Sequence, residues 1–137
     1  MHFVRQIFYV SSASQEPGDA AIQDILQVSG RNNRKLDITG CLLFSGRHFG
    51  QVLEGIDSLV LPLVDRIAAD PRHSNVVVLM DSQSREREYG DWSMGYLHDL
   101  DLEDRLEAFV RSPQRDANAI ADLMTRMKPD SMMGSLR

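Results

Sequence analysis

Two polar side chains stand out among the apolar runs of this 137-residue chain: Tyr9 in "HFVRQIFYV" and Gln51 in "RHFGQVLEG". Gln51 sits between Phe49 and Leu53, on the face of a strand-like segment that should be buried. A phenol both donates and accepts a hydrogen bond, and a carboxamide carries a donor end and an acceptor end. Buried without partners, each would cost roughly 1–3 kcal/mol. The economical arrangement is that they bond each other and also something held between the neighbouring elements. A satisfied polar pair in an ordinary core meets the same constraint, and spacing leaves both readings open. Trp92 and Met94 on a late strand, with Asn32 and Asn33 at the end of the first helix, are expected to line the same cavity.

Composition narrows what this site can serve. The chain is 42% hydrophobic and 26% charged, enough apolar material for one domain with a real core. A net charge of -5 argues against a nucleic-acid partner. No stretch reaches the ~18 apolar residues of a membrane span, and "MHFVRQIFYV" has none of the features of a secretory leader. The single cysteine, Cys41, excludes a disulfide within the chain and suits a reducing cytoplasm. His2, His48, His73 and His98 show no ligand spacing, so no metal site is expected.

The positioning elements follow from periodicity. Residues 2–10, "HFVRQIFYV", read as a strand with Phe3, Arg5, Ile7 and Tyr9 on one face and Val4, Gln6, Phe8 and Val10 on the other. "SSASQEPGD" is turn chemistry, and Ile22, Ile25, Leu26 and Ser29 mark a helix ending near Gly30, with "NNRK" as a connection. Residues 38–45 and 48–54 make a hairpin turning at Gly46-Arg47. A second helix, "DSLVLPLVDRIAAD", is expected to be capped by Asp57 or Ser58, with Pro62 forcing a kink or a later start. "VVVLM" reads as a central strand covered on both faces. "SREREYGD" reads as a solvated edge, followed by a strand placing Trp92, Met94 and Tyr96 on one face. The order β-α-β-β-α-β-β predicts an α+β fold with a ferredoxin-like sheet and two helices on one face. Two C-terminal helices, striped by Leu102, Leu106 and Phe109 and by Ile120, Leu123, Met124 and Met127, are predicted to cover the other face, with a frayed tail from Pro129. Residues 1–98 form the sheet domain and 99–137 the helical extension. Ferredoxin-like folds also host acylphosphatases, and Arg31 lies near Asn33, but no glycine-rich phosphate cradle precedes a helix.

Four segments, "FYVSSAS", "RNNRKLDITGCLLFSGRHFGQVLEG", "ADPRHSNV" and "DWSMGY", occur in an order and at separations that resemble the BLUF domain, the blue-light sensor that uses FAD. The resemblance covers residues 3 to about 98 and implies a flavin ring between the two helices. It implies photoactive roles for Tyr9, Gln51, Trp92 and Met94, and flavin contacts from Ile25, Asn32, Asn33, Phe49, Gln51, Asp70, Arg72 and His73. Tyr9 would match the redox-active tyrosine, Gln51 the switching glutamine and Asn33 the asparagine on the flavin carbonyl edge. It implies FAD as cofactor, with FMN or riboflavin as substitutes, bound without a covalent link. It further implies a sensor rather than an enzyme, a reversible red shift under blue light, and signalling through the last strand and the C-terminal helices. The downstream partner would be a protein, with homo-oligomers expected. The competing expectation is a flavin-free interaction module of the same fold. Cys41, on the strand face opposite Leu42 and Phe44, is expected to be a core side chain.

Overall fold

Aromatic and β-branched residues dominate the start of the chain and form β1 (Val4–Ala13). The computed structural model describes residues 3–14, 18–112, 116–128 and 134–136. His2, Met132, Met133 and part of the first turn lie outside the described residues. The remaining elements are α1 (Asp19–Lys35), β2 (Thr39–Phe44), β3 (His48–Gly55), α2 (Asp57–Ala68), β4 (His73–Ser84), β5 (Met94–His98), a 3-10 turn (Leu100–Leu102), α3 (Glu103–Arg111), α4 (Ala117–Arg126) and β6 (Gly134–Leu136).

The strands form one mixed sheet in the order β4-β1-β3-β2-β5-β6. β1 pairs antiparallel with β3 and β4, and β3 with β2. β5 lies parallel to β2. The first four strands with α1 and α2 make the expected ferredoxin-like unit. Strand alternation divides the interior into two cores. Ile7, Tyr9, Leu42 and Leu53 pack with Ile22 and Leu26 of α1 and Val60 of α2. Phe8, Val10, Cys41, Leu43 and Val52 pack with Leu106 and Phe109 of α3 and Leu123 of α4. Helices therefore cover both faces, and β2 and β3 are buried along their whole length. The hairpin turns where expected: Gly46 takes φ 121°, open to glycine, and the Ser45 N–H donates to His48 O at 3.0 Å. At Gly40, a Cβ would stand 2.0 Å from the Val52 carbonyl oxygen, so the close approach of β2 to β3 requires glycine.

Five local expectations are corrected. α1 does not stop near Gly30 but continues through "NNRK", because Ile22, Leu26, Gly30 and Asn33 form one buried stripe. That packing offsets the cost of about 1 kcal/mol for an interior glycine. α2 is preceded by Ile56, not capped by Asp57 or Ser58, and starts at Asp57 despite Pro62. β4 is an edge strand rather than a central one. Its apolar run reflects helices on both faces: Val76 and Val78 join one core, and Val77, Leu79 and Met80 the other. A register shift around Leu79 puts it on the same side as Met80. The tail is not frayed throughout, since β6 adds an antiparallel edge to β5. In "SREREYGD" solvation is interrupted at Tyr89, which is fully buried while Glu88, Gly90 and Asp91 around it are exposed.

Charged and polar anchors fix the C-terminal helices. The Glu103 carboxylate, at the start of α3, accepts from Ser45 Oγ and the Arg47 N–H, each at 2.9 Å, and contacts His48 Nδ1 at 2.8 Å. Burial opposes its charge, but the hydrogen bonds from His48, Arg47 and Ser45 outweigh that and hold its carboxyl below the usual range. Glu54, fully buried where Glu103 is only partly so, accepts from Gln6, Thr39 and the backbone N–H groups of Glu88 and Tyr89. The Tyr89 hydroxyl donates to Met127 O at 2.7 Å, tying this segment to the end of α4.

A carboxyl depressed by folding stabilises the fold above its unfolded value of about 4.3, and the contribution is lost as pH falls through the lower folded value. Urea denaturation should therefore show Glu103→Gln less stable than wild type by about 1–2 kcal/mol at neutral pH, with the gap closing toward pH ~3. A gap unchanged across that range contradicts the anchor. Tyr89→Phe leaves a buried carbonyl without its donor and should cost about 1–3 kcal/mol, with hydrogen exchange accelerated in α4. Protection of α4 equal to wild type contradicts this tie.

Candidate functional site

Tyr9 and Gln51 face each other directly across the β1–β3 ladder. The register sends both side chains toward α1 and α2, and both are buried. The Tyr9 hydroxyl donates to Gln51 Oε1. Gln51 Nε2 in turn donates to Met94 Sδ at 3.5 Å. Burial, reinforced by the negative charge of Asp70, raises the Tyr9 pKa, so the phenol keeps its proton at neutral pH. With Oε1 committed to the phenol, the amide nitrogen has, among the described residues, only a thioether, a weak acceptor. A ligand offering a stronger acceptor beside Gln51 would improve that bond, and a heterocycle with ring nitrogens and carbonyls fits this donor set.

A trough runs from this pair outward between the two helices. Its inner cavity, about 80 Å³, is floored by Tyr9, Leu42, Phe49 and Gln51 and walled by Ile25, Ile67 and His73. A second compartment of about 440 Å³ shares Ile67 and Asp70 with it and opens beside Asn32, Leu36 and Leu63. Together they fall within the range of small-molecule pockets.

The loop after α2 supplies one end wall. Asp70 and Arg72 form a fork, with Nη2 to Oδ2 at 2.6 Å and Nε to Oδ1 at 3.1 Å. The Arg72 bond holds the Asp70 carboxyl below its ordinary value against a smaller opposing effect of burial. His73 Nε2 bonds the Ile67 carbonyl, which can only accept, so that nitrogen carries the proton. In the neutral ring Nδ1 then accepts from Ser11 Oγ at 2.9 Å. The ring is held edge-on to Tyr9, with centroids 6.1 Å apart.

The expected residues are thus largely brought together. Tyr9, Ile25, Phe49, Gln51, Asp70, Arg72 and His73 line the inner cavity, Asn32 the outer compartment, and Met94 backs Gln51. Asn33 lines neither; it is buried at the end of α1, where Nδ2 donates to Ser93 O at 2.8 Å. Trp92 is a correction. β5 starts only at Met94, and the turn before it, closed by the Trp92 N–H to Tyr89 O at 2.9 Å, rotates Trp92 into the opposite core. Met94 and Tyr96 keep the face expected of them. Sequence reasoning missed Ser11, which strand alternation from Tyr9 would have found. It also missed Ser29 on α1 and Leu63, Arg66 and Ile67 on α2, whose faces depend on how the two helices pack, and Lys35 and Leu36, which follow from the extension of α1 beyond Gly30.

Comparison with known proteins agrees with this geometry. The family model described as sensors of blue light using FAD, BLUF, matches residues 4–95. The blue light- and temperature-regulated antirepressor BluF of Escherichia coli (strain K12) is 35% identical over 99 residues, which cover 72% of this chain and 24% of that protein. The chain spans about a quarter or less of the length of the curated relatives it matches. Among solved structures, the dark state of the BLUF protein BlrB superposes with a TM-score of 0.76 at 29% identity, covering 93% of this chain and 96% of that one. Klebsiella pneumoniae BlrP1 with FMN and cyclic diGMP gives 0.69 at 32% identity, over 90% of this chain and 34% of that one. With the family model matched along most of its length, and a buried phenol–carboxamide pair at the floor of a two-helix trough, this chain belongs to the BLUF family of flavin-binding domains.

Proposed function

We propose that the protein is a blue-light photoreceptor holding FAD non-covalently between α1 and α2, with Tyr9 and Gln51 as its photoactive pair. The observation that carries this reading is the buried Tyr9–Gln51 hydrogen bond, backed only by the weak acceptor of Met94. FAD is favoured because the matching family is described by it; FMN, which accompanies BlrP1, and riboflavin share the ring. The bound flavin supplies the pigment and, once excited, a strong oxidant.

Tyr9 is the electron donor. Its raised pKa keeps the phenol neutral until it is oxidised, and an oxidised phenol then releases its proton along the existing bond to Gln51 Oε1. Gln51 relays it, because a carboxamide accepts at one end and donates at the other. With the electron and proton returned to Tyr9, Gln51 would be left either rotated, with Nε2 toward Tyr9, or in its original orientation as the imidic-acid tautomer. Ile25, Phe49 and Ile67 keep water from the pair, which strengthens each hydrogen bond there. Asp70, Arg72 and His73 hold the polar edge of the pocket, and Asn33, behind it, fixes the end of α1 to the segment before β5 through Ser93 O.

The signal leaves through Met94 into β5, and from β5 into the flanking C-terminal helices. Glu54, three residues from Gln51 on β3 but on the opposite face, joins the same strand to Tyr89 and hence to α4. The protein acts as a sensor, not a catalyst, and passes its state to a partner protein in the cytoplasm, itself working as a homo-oligomer. Among the described residues no helix is long and apolar enough to cross a membrane.

Absorption spectra before and after blue illumination test the reading. The wild type should be yellow and shift reversibly to the red. Tyr9→Phe and Gln51→Leu should each lose the shift yet bind flavin within about tenfold of wild type, since one neutral hydrogen bond is worth about 1 kcal/mol. A Tyr9→Phe protein with the full red shift would contradict the assignment, and colourless protein that takes up no flavin would favour a flavin-free interaction module.

A further inference from the structure

We propose that β6 positions Met94 for its contact with Gln51, pairing with β5 in the dark and loosening in the light, and that it thereby sets the lifetime of the lit state. The inference rests on the flavin reading above and adds to it an element that governs the return to the dark. Met94 Sδ receives the Gln51 Nε2 bond at 3.5 Å. Its main chain is held unequally from the two sides. The register of β2 covers residues 95–98 of β5 and starts one residue after Met94. β6 pairs with Met94, Gly95 and Tyr96, with Leu136 opposite Met94. Among the described residues, Met94 thus has its strand partner on β6 alone. The two residues before it are anchored otherwise: the Gly40 N–H donates to Trp92 O at 3.0 Å and Asn33 Nδ2 to Ser93 O at 2.8 Å. The residue that touches the photoactive amide is therefore the one whose place in the sheet depends on β6.

The β5–β6 ladder spans three residues, against six between β2 and β3 and eight between β1 and β3. So short an edge opens locally without unfolding either core. Illumination changes what Gln51 offers it. A rotated amide turns Oε1, an acceptor, toward the Met94 sulfur, which is also an acceptor. The imidic-acid tautomer leaves Nε2 one proton where it had two, to be shared between Met94 and the ligand. Either change weakens the bond to Met94 and with it the pairing of Met94 to β6. The coupling is reciprocal: β6 favours the dark arrangement of Gln51 by the factor by which that arrangement favours β6. For one bond to a weak acceptor the factor is about three- to fivefold. Closure of β6 thus adds to the driving force for dark recovery. If β6 merely covered the edge of β5, its loss would alter stability and leave the recovery rate alone.

The test compares the flavin-loaded full chain with its Gly134→Pro/Ser135→Pro double variant. Neighbouring N–H groups on a strand point to opposite edges, so one of the two prolines removes a donor aimed at β5. The variant should keep the red shift, which reports an intact pocket, and recover in the dark about three- to fivefold more slowly than wild type. Ser135→Ala, which keeps its N–H, should recover at the wild-type rate. In the wild type, blue light should speed hydrogen exchange of residues 94–98 by about three- to fivefold, and the proline variant should exchange at least that fast already in the dark. A proline variant with the full red shift and wild-type recovery would overturn the positioning role and leave the flavin reading standing. So would wild-type exchange of residues 94–98 that ignores light while the red shift develops, and this measurement decides alone if the proline variant takes up no flavin. A wild type without any red shift would overturn both.

Discussion

The hydrogen bond between the Tyr9 hydroxyl and Gln51 Oε1 is the constraint on which the rest of the structure depends. It exists because β1 and β3 pair in one register, with Tyr9 opposite Gln51 and Ile7 opposite Leu53. A slip of one residue would turn one partner to the other face of the sheet and leave a buried phenol and a buried amide apart. That register is over-determined. Apolar residues of β1 and β3 on both faces, Ile7 and Leu53 on one and Phe8 and Val52 on the other, penalise any alternative, while Gly40 and the Gly46 turn fix β3 against β2. Local strand chemistry thus sets the distance between the two polar groups of the proposed proton relay.

Because helices cover both faces, the sheet separates the pocket from a second core, apolar except for the Glu54–Tyr89 anchor, and also connects them. Gln51 and Leu53 face α1 and α2, whereas Val52 and Glu54 face α3 and α4. A change in the bonding of Gln51 therefore acts on a strand whose next outward-facing charge is already committed to Tyr89. Glu103 clamps the hairpin turn from the far side. The Cys41 thiol, pushed up to about 12 by burial, remains a protonated core side chain and takes no part in holding a pigment.

Much of this was legible in the sequence, for identifiable reasons. Strand alternation carries a period of two, so the faces of Tyr9, Phe8, Gln51 and Cys41 could be read directly, as could the stripes of α3 and α4. What could not be read depends on tertiary contact. α1 outruns Gly30 because its buried stripe continues to Asn33, which finds a carbonyl on the segment before β5. Trp92 leaves the face of Met94 because a turn, not a strand, precedes Met94. Tyr89 lies in a run of charges, and nothing local signals that a buried glutamate will gather its backbone. The likeness of four segments to a known domain located the pocket residues that periodicity alone left ambiguous, Asp70, Arg72 and His73 among them.

The most direct test of the central claim is a light-minus-dark infrared difference spectrum of the flavin-loaded protein, recorded with isotopically labelled tyrosine and, separately, labelled glutamine. The account predicts that label-sensitive phenol and side-chain carbonyl bands move on illumination and return in the dark. A difference spectrum in which neither label has any effect would contradict it.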